Sequence, residues 1–208
     1  MKSGMKIIVT IIIAIIVILV LGIITNVIRN NIIMKKLYEN SSELKTSIKN
    51  YYYEKKSELS EGETRTTTYK IYNYNDKYLI KEYYNDEGNI TTEWIDKSIP
   101  EYVSINEKTG EKTQEIKMKE YDKEYEEALF STTIDTVGYG KILTANIFIP
   151  IKIEDNCYVI NYDNTTFYVN TNTGIISKVF YGNGNGNVSC TYKLKNNSVI
   201  ENEVIKPE

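Results

Sequence analysis

No histidine occurs anywhere in the 208 residues. Without an imidazole there is no Ser-His or Cys-His nucleophile pair and no histidine metal site. Cysteine is nearly absent as well: Cys157 and Cys190 are too few for a disulfide framework. Each alternates with apolar neighbours (Val159; Val188, Tyr192, Leu194), which favours two buried thiols, while one bridge stays open should the domain lie outside a cell. An excess of one charge sign is also missing: 25 Lys and Arg stand against 28 Asp and Glu, dispersed along the chain. That excludes a basic nucleic-acid footprint. Carboxylates are plentiful, yet none sits in a context that raises its pKa, so no acid/base pair can be named. The turn Asn85-Asp86-Glu87-Gly88-Asn89 lacks the alternating ligands and terminal bidentate Glu of a calcium loop. No catalytic residue, metal or cofactor is therefore expected, and an enzyme is not.

What the chain does have is a long apolar run. Between Lys6 and Arg29, residues 7–25 read IIVTIIIAIIVILVLGIIT. At 1.5 Å per residue, about 20 apolar residues span the ~30 Å hydrocarbon core of a bilayer. Ile7, Ile13, Val17, Leu21 and Ile24 are expected to lie in a single transmembrane helix in a segment 1–30. A cleaved signal peptide has a shorter apolar region and a small-x-small site, which Ile23 to Val27 does not offer. Lys2 and Lys6 on one flank nearly balance Arg29, Lys35 and Lys36 on the other. The short amino-terminal flank points to an uncleaved signal anchor with the carboxy-terminal domain outside the cell.

Roughly 175 residues follow, enough for one domain with a core. Beyond Asn30-Asn31, which weakens the helix, Leu37, Leu44, Ile48, Tyr51, Tyr52 and Leu59 fall at three-, four- and seven-residue steps. This predicts an amphipathic helix over 31–60 packed on the domain, rather than a coiled-coil seam of under three heptads. From Thr64 the period becomes two, and nineteen tyrosines suit strands. Strands are expected at 64–74, 78–84, 90–95, 102–105 and 115–119, joined by turns short enough to force antiparallel pairing. Tyr121, Tyr125, Ala128 and Leu129 predict a helix inserted at 120–135. Gly138-Tyr139-Gly140 is expected to break any helix, and Ile147-Phe148-Ile149-Pro150 to form an apolar turn or short strand in a mobile or capping segment. Strands resume at 157–162, 166–171, 175–181 and 188–194. The alternating glycines of residues 182–187 suggest a phosphate loop, but no helix follows to present its amides, so a hairpin tip is expected. Tyr102-Val103 leading to Thr109-Gly110 echoes Tyr168-Val169 leading to Thr173-Gly174, as two hairpins sharing one turn solution would.

The expected fold is therefore α+β: a transmembrane helix followed by a curled antiparallel sheet, 61–208, with helices on its concave side. Tyr78, Ile80, Tyr84, Trp94, Phe167 and Val169 are assigned to one apolar face. That face is either a ligand cleft beneath the helices or a filled core.

Residues 93–97 (Glu-Trp-Ile-Asp-Lys) through 102–106 (Tyr-Val-Ser-Ile-Asn), and residues 168–178 with their Thr-Gly turn, resemble the hairpin signatures of the outer-membrane lipoprotein-sorting (LolA-like) superfamily. The order helix, meander, helix, meander is similar too. The resemblance covers nearly everything after residue 35 and implies a half-barrel that binds acyl chains under a helical lid. It departs from the family pattern at Lys97, where the family carries Gly, and at Asp76-Lys77-Tyr78, where it carries Arg or Lys before Pro. A membrane anchor also replaces the soluble carrier, and a tethered domain cannot shuttle cargo. The expectation narrows to binding a lipid-like or other apolar ligand at the membrane. The alternative is an interaction or envelope-sensing module whose partner is an envelope protein.

Overall fold

A computed structural model of the chain describes residues 2–61, 63–75, 77–84, 89–99, 101–115, 133–183 and 186–208. The apolar run is helical, but the helix does not stop with it. Helix α1 spans Lys2–Ser47 without interruption. It is long and apolar enough to cross a membrane, and none of its apolar window is buried. Two hydroxyls within or beside that window are satisfied by the helix itself: Thr10 donates to the Lys6 carbonyl (3.0 Å) and Thr25 to that of Leu21 (2.8 Å). Such back-bonding is what an apolar solvent requires of a polar side chain. Past Thr25 one stripe turns inward, with Asn30, Ile33, Met34, Leu37 and Ser41 all buried.

The amphipathic segment expected over 31–60 is helical only as far as Ser47. Residues Tyr52–Glu61 form strand β1 instead. The reason is non-local. β1 pairs antiparallel with β2 (Glu63–Tyr74) on one side and β11 (Gly186–Lys195) on the other, Tyr53 lying opposite both Ile71 and Leu194. Two ladders of backbone hydrogen bonds outweigh a helical spacing of Tyr and Leu that also fits a strand.

β3 (Lys77–Tyr84), β4 (Asn89–Asp96), β5 (Glu101–Asn106) and β6 (Glu111–Glu115) continue outward from β2. β10 (Ile176–Asn183), β9 (Thr165–Asn170), β8 (Cys157–Tyr162) and β7 (Lys152–Glu154) continue outward from β11. Among the described residues the result is one 11-stranded sheet in the order β6-β5-β4-β3-β2-β1-β11-β10-β9-β8-β7, antiparallel at every pairing and not closed into a barrel. β6 begins four residues before the expected strand, and β7 was not expected at all. The helix expected at 120–135 lies outside the described residues up to 132. After it, Thr133 bridges to Ile175 and Ile134–Val137 make a 3-10 turn. Gly138 (φ +73°) does not end helical structure but joins that turn to a second helix, α2, at Tyr139–Ala145.

The two echoing hairpins share their turn chemistry. Asn106 Oδ1 accepts from the amides of Lys108 and Thr109, as Asn170 Oδ1 does from Asn172 and Thr173. Each turn closes on a glycine of positive φ, Gly110 at +71° and Gly174 at +69°. At Gly174 there is a second demand. A Cβ there would lie 2.6 Å from Ser41 Oγ and 2.7 Å from the Leu37 carbonyl, because α1 sits directly on this turn. Ser41 Oγ donates to the Gly174 carbonyl (3.1 Å) and Asn40 Nδ2 to that of Asn172 (2.7 Å). Cys157 and Cys190 are buried and unbridged.

Candidate functional site

Strand alternation and register divide the sheet into two faces. On the first face, α1 and α2 bury Ile33, Met34, Leu37 and Ile142 against Ile160, Phe167, Val169, Ile176 and Val179 of β8–β10. Further along the same face, Tyr51, Tyr53, Ile71, Tyr78, Ile80, Ile95 and Tyr102 form a second cluster. The two are joined by Tyr192, which packs against both. Burial pushes the Tyr192 hydroxyl above its ordinary pKa, with the neighbouring Cys190 adding to the shift, and burial does the same to Tyr53. These hydroxyls stay protonated, as neutral donors in an apolar setting.

Tyr78 and Ile80 belong to this face, and so do Phe167 and Val169, but the four fall in different clusters. Phe167 and Val169 are core beneath α1. Tyr78 and Ile80 lie in the tyrosine-rich half, where the described apolar neighbours from outside the cluster are Ile48, Tyr69, Tyr192 and Leu194. A polar pair accompanies them: Tyr102 donates to Glu93 Oε1 at 3.1 Å, and the Lys97 ammonium sits 5.0 Å from the Tyr78 ring centre. Tyr84 pairs with Thr67 through its backbone, and its side chain is outside the described residues.

Trp94 was assigned to this face, and the structure corrects that. In the β3–β4 register Trp94 lies opposite Leu79, while Ile80 lies opposite Glu93. Side chains opposite one another share a face, so Trp94 projects from the other side of the sheet. There it packs with Val103 and with Val199 and Val204 of the carboxy-terminal tail. Trp94 Nε1 donates to the Val204 carbonyl at 3.4 Å. Lys206 pairs with Glu101 (2.5 Å), whose carboxyl this hydrogen bond holds below its ordinary range. The polar composition of residues 196–208 hid this packing, and Val199 and Val204 were its only signal.

Beside the tail lies a hollow of about 330 Å³ lined by Tyr52, Glu54, Tyr72, Lys193, Lys195 and Glu203 among others. Burial raises the Glu54 carboxyl, but the Lys193 ammonium (2.6 Å) and the Tyr52 hydroxyl (2.5 Å) outweigh it and hold the group ionised below its ordinary range. Burial lifts Tyr52 itself. Glu54 and Lys193 are thus already paired with each other within the chain, and Glu203 accepts from the Ile200 amide. Among the described residues no group of three Cys, Asp or Glu is placed to hold a metal ion.

Ile7, Ile13, Val17, Leu21 and Ile24, expected in the transmembrane segment, are all exposed on α1. Near the end of that stretch α1 makes a set of contacts not foreseen from sequence. Asn26, Arg29 and Asn30 donate hydrogen bonds to backbone carbonyls of residues 146–151, the loop between α2 and β7. Asn30 was read as a helix-weakening residue. It is helical and 1 % exposed because this loop satisfies its amide.

No family model matches the chain, and no curated protein matches it. Among solved structures, it is similar to the crystal structure of a LolA superfamily protein from Nitrosomonas europaea, at 6 % identity and a TM-score of 0.36, over 83 % of this chain and 97 % of that one.

Proposed function

We propose that this protein is a single-pass, membrane-anchored, non-catalytic binding protein, with α1 as the anchor and the rest of the chain an extracytoplasmic domain that holds a lipid-like or other apolar ligand. The ligand lies against the tyrosine-rich half of the sheet, on Tyr78, Ile80 and Tyr102. The observation that carries this reading is the composition of that half-face. Four tyrosines and three isoleucines converge there, with one carboxylate, Glu93, in reach of Tyr102. Tyr78, Ile80 and Tyr102 are buried within the chain, at 2–7 % exposed, and a buried apolar face with a few placed polar groups is the usual make-up of a small-molecule site. The exposed apolar stretch of α1 supports placement at a membrane, where such ligands are abundant.

The test uses the full chain in lipid nanodiscs with a diazirine-bearing fatty acid. Photolabel on peptides covering Tyr78 to Tyr83 and Tyr102 to Ile105 is expected, and Ile80→Trp, which crowds this buried face, should lower it about fivefold in protein that still unfolds cooperatively. Label confined to residues 5–25 would show lipid around the anchor and none in the domain, and the ligand reading would be lost. A second reading, strand addition by an envelope protein, is favoured by β7, a three-residue strand at the sheet's edge with Ile153 exposed.

A further inference from the structure

The loop between α2 and β7 carries an arrangement that the ligand reading does not use. Its sequence, Asn146-Ile147-Phe148-Ile149-Pro150-Ile151, places four apolar side chains and a proline in a connection of six residues. Such a run ordinarily turns inward. Here Asn146 and Ile151 are each 1 % exposed and hold the two ends in the core, while between them Phe148 is 77 % exposed and Ile149 47 %.

The loop is held in that shape by α1. Asn26 Nδ2 donates to the carbonyls of Asn146 (3.3 Å) and Ile147 (2.7 Å), and Asn30 Nδ2 to those of Asn146 (2.9 Å) and Ile149 (3.1 Å). Arg29 donates to the Ile151 carbonyl (3.2 Å), and the Ile151 amide donates to Asn30 Oδ1 (3.1 Å). Four loop carbonyls, those of residues 146, 147, 149 and 151, are thus taken by side chains more than a hundred residues away in sequence. Satisfied backbone is the condition for entering a medium that offers no hydrogen bonds. The exposed Phe148 and Ile149 side chains are what that medium would receive.

The height of the loop agrees. At 1.5 Å per residue, Asn26 lies about 3 Å and Asn30 about 9 Å past Ile24, so the loop is clasped where the apolar stretch of α1 ends. On that helix Ile28 and Ile32 are exposed as well, continuing the apolar surface past Ile24. Lys152 follows directly, and Arg29 reaches the same segment, both suited to lipid phosphates at the boundary.

We propose that the loop Ile147–Pro150 is a second membrane contact: Phe148 and Ile149 insert into the interfacial zone of the leaflet at which α1 emerges, and seat the domain on the bilayer in a fixed orientation. The inference rests on reading α1 as membrane-spanning. The partner is a phospholipid leaflet, chosen over a protein because the loop is fastened to the one helix expected to enter that leaflet.

The test uses the full chain in phosphatidylcholine–phosphatidylglycerol nanodiscs, with a single NBD fluorophore placed through Phe148→Cys, Ile13→Cys or Ile200→Cys. Cys157 and Cys190 are buried and should stay unlabelled. Ile200 is the control: exposed and apolar (62 %), but next to Ser198 and Val199, whose amides bond to Asn50 past the far end of α1. Phe148 is exposed, so its replacement leaves the fold intact. The expected result is blue-shifted emission at 148 and roughly threefold stronger quenching by a lipid with a shallow doxyl group than at 200, with 13 quenched by a deep one. Label at 148 that behaves as at 200, while 13 is in lipid, overturns the inference and leaves the spanning helix standing. If 13 is also in water, the spanning helix itself is wrong and the inference falls with it. Label at 148 shielded from both aqueous iodide and doxyl lipid would mean a protein covers the loop, which also overturns it.

Discussion

Helix α1 is one continuous element with two unlike halves. From Met5 to Thr25 its side chains touch almost nothing of the chain, and Gly22 has no atom within 4 Å of where a Cβ would stand. From Asn26 to Ser47 it is fastened on one side by amide hydrogen bonds, a buried stripe at Ile33, Met34 and Leu37, and a backbone contact at Gly174. Backbone hydrogen bonding is the same in both. What differs is what surrounds the side chains, so equal substitutions should have unequal effects. Fold stability should reside in the second half and, under the proposed anchoring, residence in lipid in the first.

Leu37→Ala against Ile13→Ala should separate the halves most. Leu37 is fully buried, and its truncation is expected to cost about 3 kcal/mol in denaturant unfolding of the domain, whereas Ile13→Ala should stay within about 0.5 kcal/mol. Equal effects would mean the exposed stretch is packed against the domain after all. The two glycines sharpen the contrast. Gly174→Ala meets both a positive φ and the Leu37 carbonyl, and is expected to lower stability by about 2 kcal/mol or more, while Gly22→Ala should cost nothing. Thermal unfolding of both variants in the same detergent decides it.

Asn30→Ala probes the boundary between the halves. It leaves the Ile151 amide and the Ile149 carbonyl short of a partner, at a cost of about 1–2 kcal/mol, and should raise amide exchange across residues 146–151 before the rest of the sheet. Protection unchanged there would sink the claim that α1 holds this loop.

The smallest effect lies off the helix, in the hollow on the opposite face. Glu54 has its pKa lowered in the folded protein, so its contribution is present above the ordinary carboxylate range and is lost as pH falls through the depressed value. Glu54→Gln should therefore flatten the acid limb of stability by under about 1 kcal/mol, since Lys193 is largely exposed to solvent. An unchanged acid limb would mean the pair contributes nothing.

Most of the sheet was legible from sequence because alternation and turn chemistry are local. Asn106 and Asn170 fix their own turns, and Gly110 and Gly174 close them, without reference to the rest of the chain. β1 was misread because Leu44, Ile48, Tyr51 and Leu59 fit a helical spacing, and its partner β11 lies more than a hundred residues away. Trp94 was placed on the wrong face for a related reason. Alternation orders side chains within one strand, but only the register against β3 says which side Trp94 shares. The Gly138-Tyr139-Gly140 segment begins α2, where Ile142 meets the core beneath α1.

By itself the sequence determined the apolar length of the first helix, the absence of histidine chemistry, and a β-rich domain read strand by strand, since each depends on neighbours within a few residues. Tertiary structure alone decided that the helix runs on to Ser47, that β1 is the strand on which both arms of the sheet meet, and that the tail covers Trp94. It also brought the loop bearing Phe148 beside Asn26 and Asn30. These are outcomes of register and of contacts a hundred residues apart, which no local periodicity encodes.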